Sequence, residues 1–192
     1  MSFDETIIHC CAPALCGIKP ANLFSMDAEC FLEGRTRLLK WQCDFCKAKR
    51  YFVPLKKDDR RFLFFVYDRD LLENVISDAE NARYLESKGY SFEKGLNGIL
   101  CELLHRLMYQ KEFPHEVGLF LGYPLEDVLG FERDRFACKF SGFWKVYGNE
   151  AEAERKMNLY KSCSELCMKW LDEGLSVPVV AKKYSHHTKK GA

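Results

Sequence analysis

Two adjacent cysteines near the amino terminus, Cys10 and Cys11, are the residues in this chain best suited to nucleophilic chemistry. Pro13 follows them closely, and proline is favoured in the first turn of a helix. The sequence therefore predicts that one of these two cysteines lies at a helix amino terminus. The helix dipole and the free N–H groups at such a terminus stabilise a thiolate, which is the reactive form of cysteine.

A histidine later in the chain is a candidate base for that thiol. His115 precedes the apolar segment 117–121, which is predicted to be a strand, and either Glu116 or Asp127 would orient its imidazole. An early helical cysteine followed by a histidine on a later strand is the order used by papain-like enzymes. One hypothesis is therefore a thiol-dependent hydrolase or acyl-transfer enzyme. The alternative interpretation is that the thiols pack in the core and that His115 caps a turn.

Two further cysteines have the spacing of metal ligands. Cys43 and Cys46 form a C-x-x-C pair, in which two thiolates can bind one tetrahedral ion. A structural zinc site needs a second pair of ligands, and the sequence contains no second C-x-x-C. Candidates for the missing ligands are Cys163 with Cys167, which share a face of a predicted helix, and also Cys30 and His9. The alternative interpretation, two thiols on a buried helical face, is favoured because a lone pair is a weak signal.

A third group of residues is predicted to bind a ligand. Gly122 allows the backbone to come close to a ligand or to a neighbouring strand, and Tyr123 follows it. Lys145 lies on the opposite face of a predicted strand from Trp144, where it can meet an acidic ligand or remain solvated. Lys19 is assigned to the same ligand-binding group. The glycine spacing matches neither the dinucleotide-binding motif nor the P-loop, so no nucleotide is predicted.

The composition is that of a globular protein and argues against two classes of partner. Apolar residues make up 47% and charged residues 30% of the chain, which excludes a disordered chain. The 29 Lys and Arg nearly cancel the 28 Asp and Glu, so no basic surface is expected for nucleic acid or an anionic membrane. Because the amino terminus is acidic and no apolar run approaches the length of a membrane span, a cytoplasmic protein with reduced thiols is predicted.

The apolar periodicity predicts an α+β protein. Strands are predicted at 51–55, 62–67, 117–121 and 140–147, and the second of them is apolar on both faces, as a central strand would be. Helices are predicted at 20–24, 31–47, 69–76, 78–87, 93–109, 124–129 and 150–173, the last of them capped by Asn149. Together they predict a single domain over residues 1–180, in which several helices pack on a small, mostly antiparallel sheet of about four strands. Residues 181–192 are predicted to be a polar, disordered tail.

Three segments of the chain resemble a known family. They are CAPALCGIKPANLF (11–24), FPHEVGLFLGYPLEDVLGF (113–131) and GFWKVYG (142–148), and the resemblance extends from about His9 to Cys163. The family is catalogued as domain of unknown function 3793 and occurs mainly in anaerobic bacteria. The resemblance implies a link to iron or redox metabolism and no established activity. The C-x-x-C pair is not a feature of the family, so a function based on it would be specific to this chain.

Two functional hypotheses follow from these residues. The favoured one is a cytoplasmic protein that binds a small ligand, a metal ion or a redox protein partner, because binding requires only a shaped pocket. The alternative is the thiol-dependent enzyme, which requires three groups in register. The sequence specifies neither a cofactor nor an oligomeric state.

Overall fold

A computed structural model of this protein describes the backbone of residues 1–190 and the side chains of residues 1–187. Two units make up the chain: residues Met1–Arg69 and Asn158–Ala192 belong to the first, and residues Asp70–Met157 form the second. The α+β class, with helices and antiparallel sheets, is confirmed. The single domain over residues 1–180 stays a prediction.

The first unit combines helices with a sheet. Its elements are α1 (Phe3–Leu15), β1 (Ala21–Asp27), α2 (Ala28–Lys47), β2 (Arg50–Lys56), β3 (Arg61–Asp68) and α9 (Val177–Lys190). A long helix, α8 (Glu150–Asp172), starts in the second unit and ends in the first. The helix predicted at 31–47 is confirmed as the main part of α2, and the strands predicted at 51–55 and 62–67 are confirmed as β2 and β3.

The start of α1 differs from its prediction. The Ser2 side chain accepts a hydrogen bond from the Glu5 backbone N–H, and the Glu5 carboxylate accepts one from the Ser2 N–H. This reciprocal capping box fixes the helix start, so Pro13 lies inside the helix and not in its first turn. Cys10 and Cys11 consequently lie in the carboxyl-terminal half of α1. The prediction that one of them lies at a helix amino terminus is wrong.

The sheet of the first unit is antiparallel, with the strand order β1-β3-β2. The central position of β3 is confirmed, and its residues Phe64, Phe65 and Val66 are fully buried. The helix predicted at 20–24 is wrong, because the chain from Ala21 onward forms β1. Hydrogen-bonded pairing with β3 along the whole of β1 stabilises the extended conformation, and such long-range pairing outweighs local preference.

One face of this sheet contributes to the hydrophobic core of the first unit. Phe64 and Val66 of β3 belong to this core, together with buried residues of α1, α2, α8 and α9. Phe24 stacks on Phe64 with 5.3 Å between ring centroids, and Phe45 of α2 meets Phe52 of β2 edge-on at 5.3 Å. Full burial of a ring such as that of Phe64 stabilises the fold by about 1.5–3 kcal/mol. The core therefore fixes the positions of the helices that carry the candidate site.

The second unit is largely helical. Its elements are α3 (Arg69–Ser77), α4 (Ala79–Ser87), α5 (Gly95–Tyr109), α6 (Val117–Phe120), α7 (Leu125–Arg133), β4 (Phe140–Ser141) and β5 (Lys145–Val146). The first residue of α3, Arg69, still belongs to the first unit. The helices predicted in this region, at 69–76, 78–87, 93–109 and 124–129, are confirmed. The strand predicted at 117–121 is wrong, since residues from Val117 form α6. An apolar run of this length does not distinguish a strand from a buried helical turn.

The strand predicted at 140–147 is two short strands and not one. β4 and β5 pair antiparallel around a turn, which the Gly142 N–H closes by donating to the Trp144 carbonyl oxygen at 3.0 Å. Asn149 then caps α8 as predicted, because its side-chain oxygen accepts a hydrogen bond from the Glu152 N–H at 3.1 Å. The described residues thus contain five strands in two sheets, against about four predicted.

The carboxyl-terminal segment is helical. α9 extends to Lys190, and its residues Val177, Val180, Ala181 and Tyr184 are buried at the spacing of one helical face. The tail was predicted to be disordered from residue 181, whereas the structure describes residues 181–190 as part of this helix. Gly191 and Ala192 lie outside the described residues. Within residues 1–190, no helix is both long enough and apolar enough to span a membrane.

Candidate metal centre

Three cysteine sulfurs converge in the core of the first unit. Cys16 lies at the carboxyl end of α1, and Cys163 and Cys167 lie about one turn apart on α8. All three Sγ atoms lie within 4.8 Å of one another, and that of Cys16 is 3.5 Å from that of Cys167. The exposed fractions of the three residues are 4%, 0% and 0%. Cys16, Cys163 and Cys167 are called the thiol cluster below.

The local fold at the end of α1 determines the position of Cys16. Its backbone N–H donates to the Ala12 carbonyl oxygen at 2.8 Å, and Gly17 follows with a φ of +75°. Glycine adopts this left-handed conformation without the steric cost that other residues meet, so the helix ends here. The Ser185 hydroxyl of α9 donates to the Cys16 carbonyl oxygen at 3.3 Å and ties α9 to this end of α1.

Hydrogen bonds among the thiols make the three sulfurs titrate as one coupled group. The hydrogen bonds from Cys16 and Cys163 lower the pKa of Cys167 to about 5. Hydrogen bonds to Cys163 and Cys167, and then burial, raise the pKa of Cys16. For Cys163, the hydrogen bond with Cys16 lowers the pKa, whereas the hydrogen bond with Cys167 and burial raise it. The net result is a raised pKa of Cys163. The hydrogen bonds thus favour the thiolate at Cys167, whose pKa is lowered, over thiolates at Cys16 and Cys163, whose pKa values are raised.

A tyrosine of α9 contacts the thiol cluster. Tyr184 is buried and forms a side-chain hydrogen bond with Cys163. Burial and then the neighbouring Cys163 raise the pKa of the phenol, so Tyr184 stays protonated and donates. Among the side chains of residues 1–187, no further Cys, His, Asp or Glu has a ligand atom within 4.8 Å of all three sulfurs. The arrangement can hold a thiophilic ion with three sulfur ligands.

The cysteines predicted as nucleophiles lie where a thiolate is disfavoured. The Cys11 thiol is fully buried and donates to the Ile7 carbonyl oxygen at 2.9 Å. Burial raises the pKa of Cys11 well above its usual value, and burial also raises the pKa of the half-buried Cys10. The expected lowering by a helix amino terminus is missing because α1 starts at Phe3.

The predicted base and its partner lie in the second unit. His115 is exposed, and its ring lies edge-on to Phe131 with 5.0 Å between centroids. Glu116 is buried and accepts hydrogen bonds from Arg106 Nη1 at 2.9 Å and from the Tyr90 hydroxyl at 3.1 Å. Since the predicted nucleophiles belong to the first unit, neither unit by itself contains the complete catalytic group. The catalytic assignment stays a prediction.

Asp127 has a structural role in the second unit. Its Oδ2 accepts a hydrogen bond from Trp144 Nε1 at 2.7 Å, and its Oδ1 accepts from the backbone N–H groups of Tyr147 and Gly148 at 2.7 and 2.8 Å. The residue is only 2% exposed. The carboxylate therefore fastens the segment around β5 to α7.

The residues predicted to bind a ligand are distributed over both units. In the second unit, Gly122 has a φ of +82°, and Tyr123 stacks on Trp144 with 4.8 Å between ring centroids. The Lys145 ammonium donates to the Arg135 carbonyl oxygen at 2.6 Å. In the first unit, Lys19 is buried, and burial lowers its pKa to about 8. Ligand binding by these four residues stays a prediction.

The C-x-x-C pair is separate from the thiol cluster. Cys43 and Cys46 are exposed on α2, and the proximity of Cys46 raises the pKa of Tyr51. Their assignment as metal ligands stays a prediction. The other candidate pair, Cys163 and Cys167, does share a buried face of α8, but the residue that joins them is Cys16.

Sequence reasoning missed Cys16 as a ligand because its partners are remote in the chain. It lies 151 positions before Cys167, and no local spacing pattern connects the two. The four-residue spacing on α8 was the available signal, since it places two thiols on one face of a helix.

Comparison with known proteins gives one match. The model of a family described as protein of unknown function, DUF3793, matches residues 7–181, which is most of the chain. No curated protein and no solved structure matches the chain. The resemblance carried by the segments at 11–24, 113–131 and 142–148 is thereby confirmed.

Proposed function

The chain belongs to the DUF3793 family of proteins of unknown function, and we propose that it binds a thiophilic metal ion through the thiol cluster. The observation that carries this proposal is the convergence of three buried sulfurs within 4.8 Å of one another. Because the ligands come from the end of α1 and from α8, a bound ion would cross-link these helices and stabilise the core of the first unit.

The spacing of the sulfurs supports this proposal. With Zn–S bonds of about 2.3 Å, a tetrahedral ion holds two sulfur ligands about 3.8 Å apart. The Cys16–Cys167 distance of 3.5 Å and the upper limit of 4.8 Å for every pair lie on either side of that value. Small side-chain movements would therefore place all three sulfurs at bonding distance from one ion.

Packing alone is the competing explanation for buried thiols, because free cysteine behaves as a small apolar side chain. Packing requires burial but does not require three sulfurs from separate parts of the chain to converge. The two explanations also differ in their consequences. A packing role tolerates replacement of a thiol by another small group, whereas ion binding is weakened by the loss of any one ligand.

The thiol-dependent enzyme has weaker support. It needs a thiolate at Cys10 or Cys11, and burial raises the pKa of both. It also needs a carboxylate to orient His115, and both Glu116 and Asp127 accept hydrogen bonds from other donors. We therefore retain this enzyme only as the alternative proposal.

The proposed site agrees with the cellular context expected from the sequence. Reduced cysteines persist in the cytoplasm and are oxidised in secreted proteins, so a cytoplasmic location is part of the proposal. Thiolate ligands are also typical of iron–sulfur and other soft-metal sites. This chemistry is consistent with the link to iron or redox metabolism in anaerobic bacteria that the family resemblance implies.

Titration with Cd²⁺ in the absence of oxygen tests the proposal. A background with Cys43→Ser and Cys46→Ser removes the exposed pair, which could otherwise compete for the ion. We expect one Cd²⁺ per chain by native mass spectrometry, accompanied by a sulfur-to-cadmium absorption band. Cys163→Ser should weaken binding at least about tenfold, or about 1.4 kcal/mol, since one of three ligands is lost.

Cys11→Ser is the matched control, because Cys11 is also a buried cysteine of the first unit but lies outside the thiol cluster. It should bind Cd²⁺ as the background protein does. Cys163→Ala is a second cluster variant that leaves no buried hydroxyl and keeps the test valid if the serine variant does not fold. Equal affinity in the Cys11 and Cys163 variants, or no binding at all, would contradict the proposal.

A further inference from the structure

The surroundings of the thiol cluster restrict the charge of the ion it can hold. The cluster belongs to a core formed by apolar side chains, among them Leu15, Trp170, Val177 and Val180. A net charge placed in such surroundings costs several kcal/mol even after relaxation. The most favourable complex is therefore the one whose total charge is closest to zero.

Charge counting separates the candidate ions. Three thiolates contribute three negative charges, so a monovalent ion leaves two of them uncompensated and a divalent ion leaves one. A trivalent ion compensates all three. A divalent ion reaches neutrality only if one cysteine keeps its proton, and a protonated thiol is a poor ligand because metals bind the thiolate.

The number of sulfur ligands also favours a trivalent ion over a divalent one. A tetrahedral divalent ion needs a fourth ligand, and among residues 1–187 no fourth Cys, His, Asp or Glu ligand atom joins the three sulfurs. That ligand would have to be a water molecule brought into the apolar core. A trivalent metalloid with a lone pair needs only three ligands and binds them in a pyramid. Its bond angles are close to a right angle, so it holds its sulfurs closer together than a tetrahedral ion does. The 3.5 Å separation of Cys16 and Cys167 suits that geometry, and the other two sulfur pairs, which lie within 4.8 Å, would have to close towards the same distance.

A cleft of the first unit, connected to the thiol cluster through Ser185, favours a ligand that arrives uncharged. The cleft has a volume of about 580 Å³ and lies between α9 and the end of α2. Ser185 lines it and donates to the Cys16 carbonyl oxygen. Lys47, Lys182 and Arg50 line it as well, together with His186 and the single carboxylate of Asp44. Of the three cations, Arg50 is paired with the Asp68 carboxylate. Excess positive charge repels hydrated metal cations, whereas a neutral hydroxide of a metalloid is unaffected.

From these observations we propose that the thiol cluster is selective for a trivalent metalloid hydroxide of the arsenite type. This inference rests on the proposed function. In the binding reaction three As–S bonds form and three As–O bonds break. Each hydroxide leaves as water with a proton taken from a thiol or, where the thiol is already ionised, from solvent, so three waters are released. Arsenic remains trivalent, and the complex is neutral.

Competition between arsenite and Cd²⁺ tests the selectivity in the background without Cys43 and Cys46. The protein is first loaded with one equivalent of Cd²⁺, and arsenite is then added without oxygen. We expect equimolar arsenite to abolish the sulfur-to-cadmium absorption band. Mass spectrometry should show a gain of one arsenic atom and a loss of three protons.

The number of sulfur ligands is tested with Cys16→Ala, which leaves Cys163 and Cys167. This variant should lose arsenite affinity at least about tenfold. Phenylarsine oxide forms only two As–S bonds, so its affinity should be the same in the variant and in the background protein. Cys11→Ala is the matched control and should bind both compounds normally.

The possible failures are distinguishable. If Cd²⁺ binds at the thiol cluster and excess arsenite leaves it in place, the metalloid selectivity is overturned and the ion-binding proposal stands. If Cys16→Ala binds arsenite as tightly as the background protein, the three-sulfur complex is overturned. If neither Cd²⁺ nor arsenite binds, both proposals fail together.

Discussion

The buried lysine of the first unit makes folding stability depend on pH. Lys19 is 6% exposed, and its Nζ lies 5.5 Å from the centroid of the Tyr160 ring. Burial lowers its pKa from 10.5 to about 8, although the nearby Cys11 acts in the opposite direction. Since one pKa unit corresponds to about 1.4 kcal/mol, burial disfavours the charged form by about 3 kcal/mol in the folded state.

The sign of the pH dependence follows from proton binding. Below about pH 8 Lys19 is charged in both the folded and the unfolded chain, so folding bears the full penalty. Between about pH 8 and 10.5 the unfolded chain binds more protons than the folded chain, and the free energy of unfolding therefore rises with pH. Above that range the lysine is neutral in both states and the penalty disappears.

Lys19→Met removes the charge and keeps a side chain of similar length. At neutral pH we expect its free energy of unfolding to exceed that of the wild type by roughly 1–3 kcal/mol, the lower value allowing for the lost contact with the Tyr160 ring. The gain should shrink steadily as the pH rises from about 8 towards 10.5. Urea unfolding followed by tryptophan fluorescence at several pH values measures this difference.

Lys40→Met is the matched control, because Lys40 is an exposed lysine on α2. Its effect on the free energy of unfolding should be small and independent of pH. The reasoning is refuted if Lys19→Met is less stable than the wild type at neutral pH, or if its gain in stability does not change with pH.

Two further predictions concern the second unit and the predicted nucleophiles. Asp127→Ala leaves Trp144 Nε1 and two backbone N–H groups without their acceptor, and should lower the free energy of unfolding by roughly 3 kcal/mol in urea titrations. Asp127→Asn keeps one acceptor oxygen and should lose less; equal, small losses would contradict the structural role. Brief alkylation at mildly acidic pH, read by mass spectrometry, should label Cys10 and Cys11 more slowly than the exposed Cys101, since burial raises the pKa of both. Rapid, selective labelling of Cys10 or Cys11 would instead support the thiol-dependent enzyme.

Regular periodic segments were predictable because their signals are local. The apolar stripe of α5, the long periodic pattern and Asn149 cap of α8, and the strand–turn–strand pattern of β2 and β3 all repeat within a few residues. The central position of β3 was also predictable, since a strand that is apolar on both faces must be covered on both.

Short segments were predicted less well, for separate reasons. β1 depends on pairing with β3, whose residues lie some 40 positions later. α6 is a single turn, in which apolar residues carry no periodicity. The start of α1 was readable in principle, because Ser2 and Glu5 have the capping-box spacing, but Pro13 offered a competing start signal.

In the candidate site, too, some features follow from local sequence and others depend on distant parts of the chain. The sequence by itself determined that Cys163 and Cys167 share a helix face, because a four-residue spacing does so in any α-helix. It also showed a family resemblance that the comparison confirmed. Only the tertiary structure brought Cys16 to those two thiols and buried all three, because that contact depends on how α1 and α8 pack across 151 positions of the chain. Packing of this kind is decided by the whole core, and no local pattern of residues contains it.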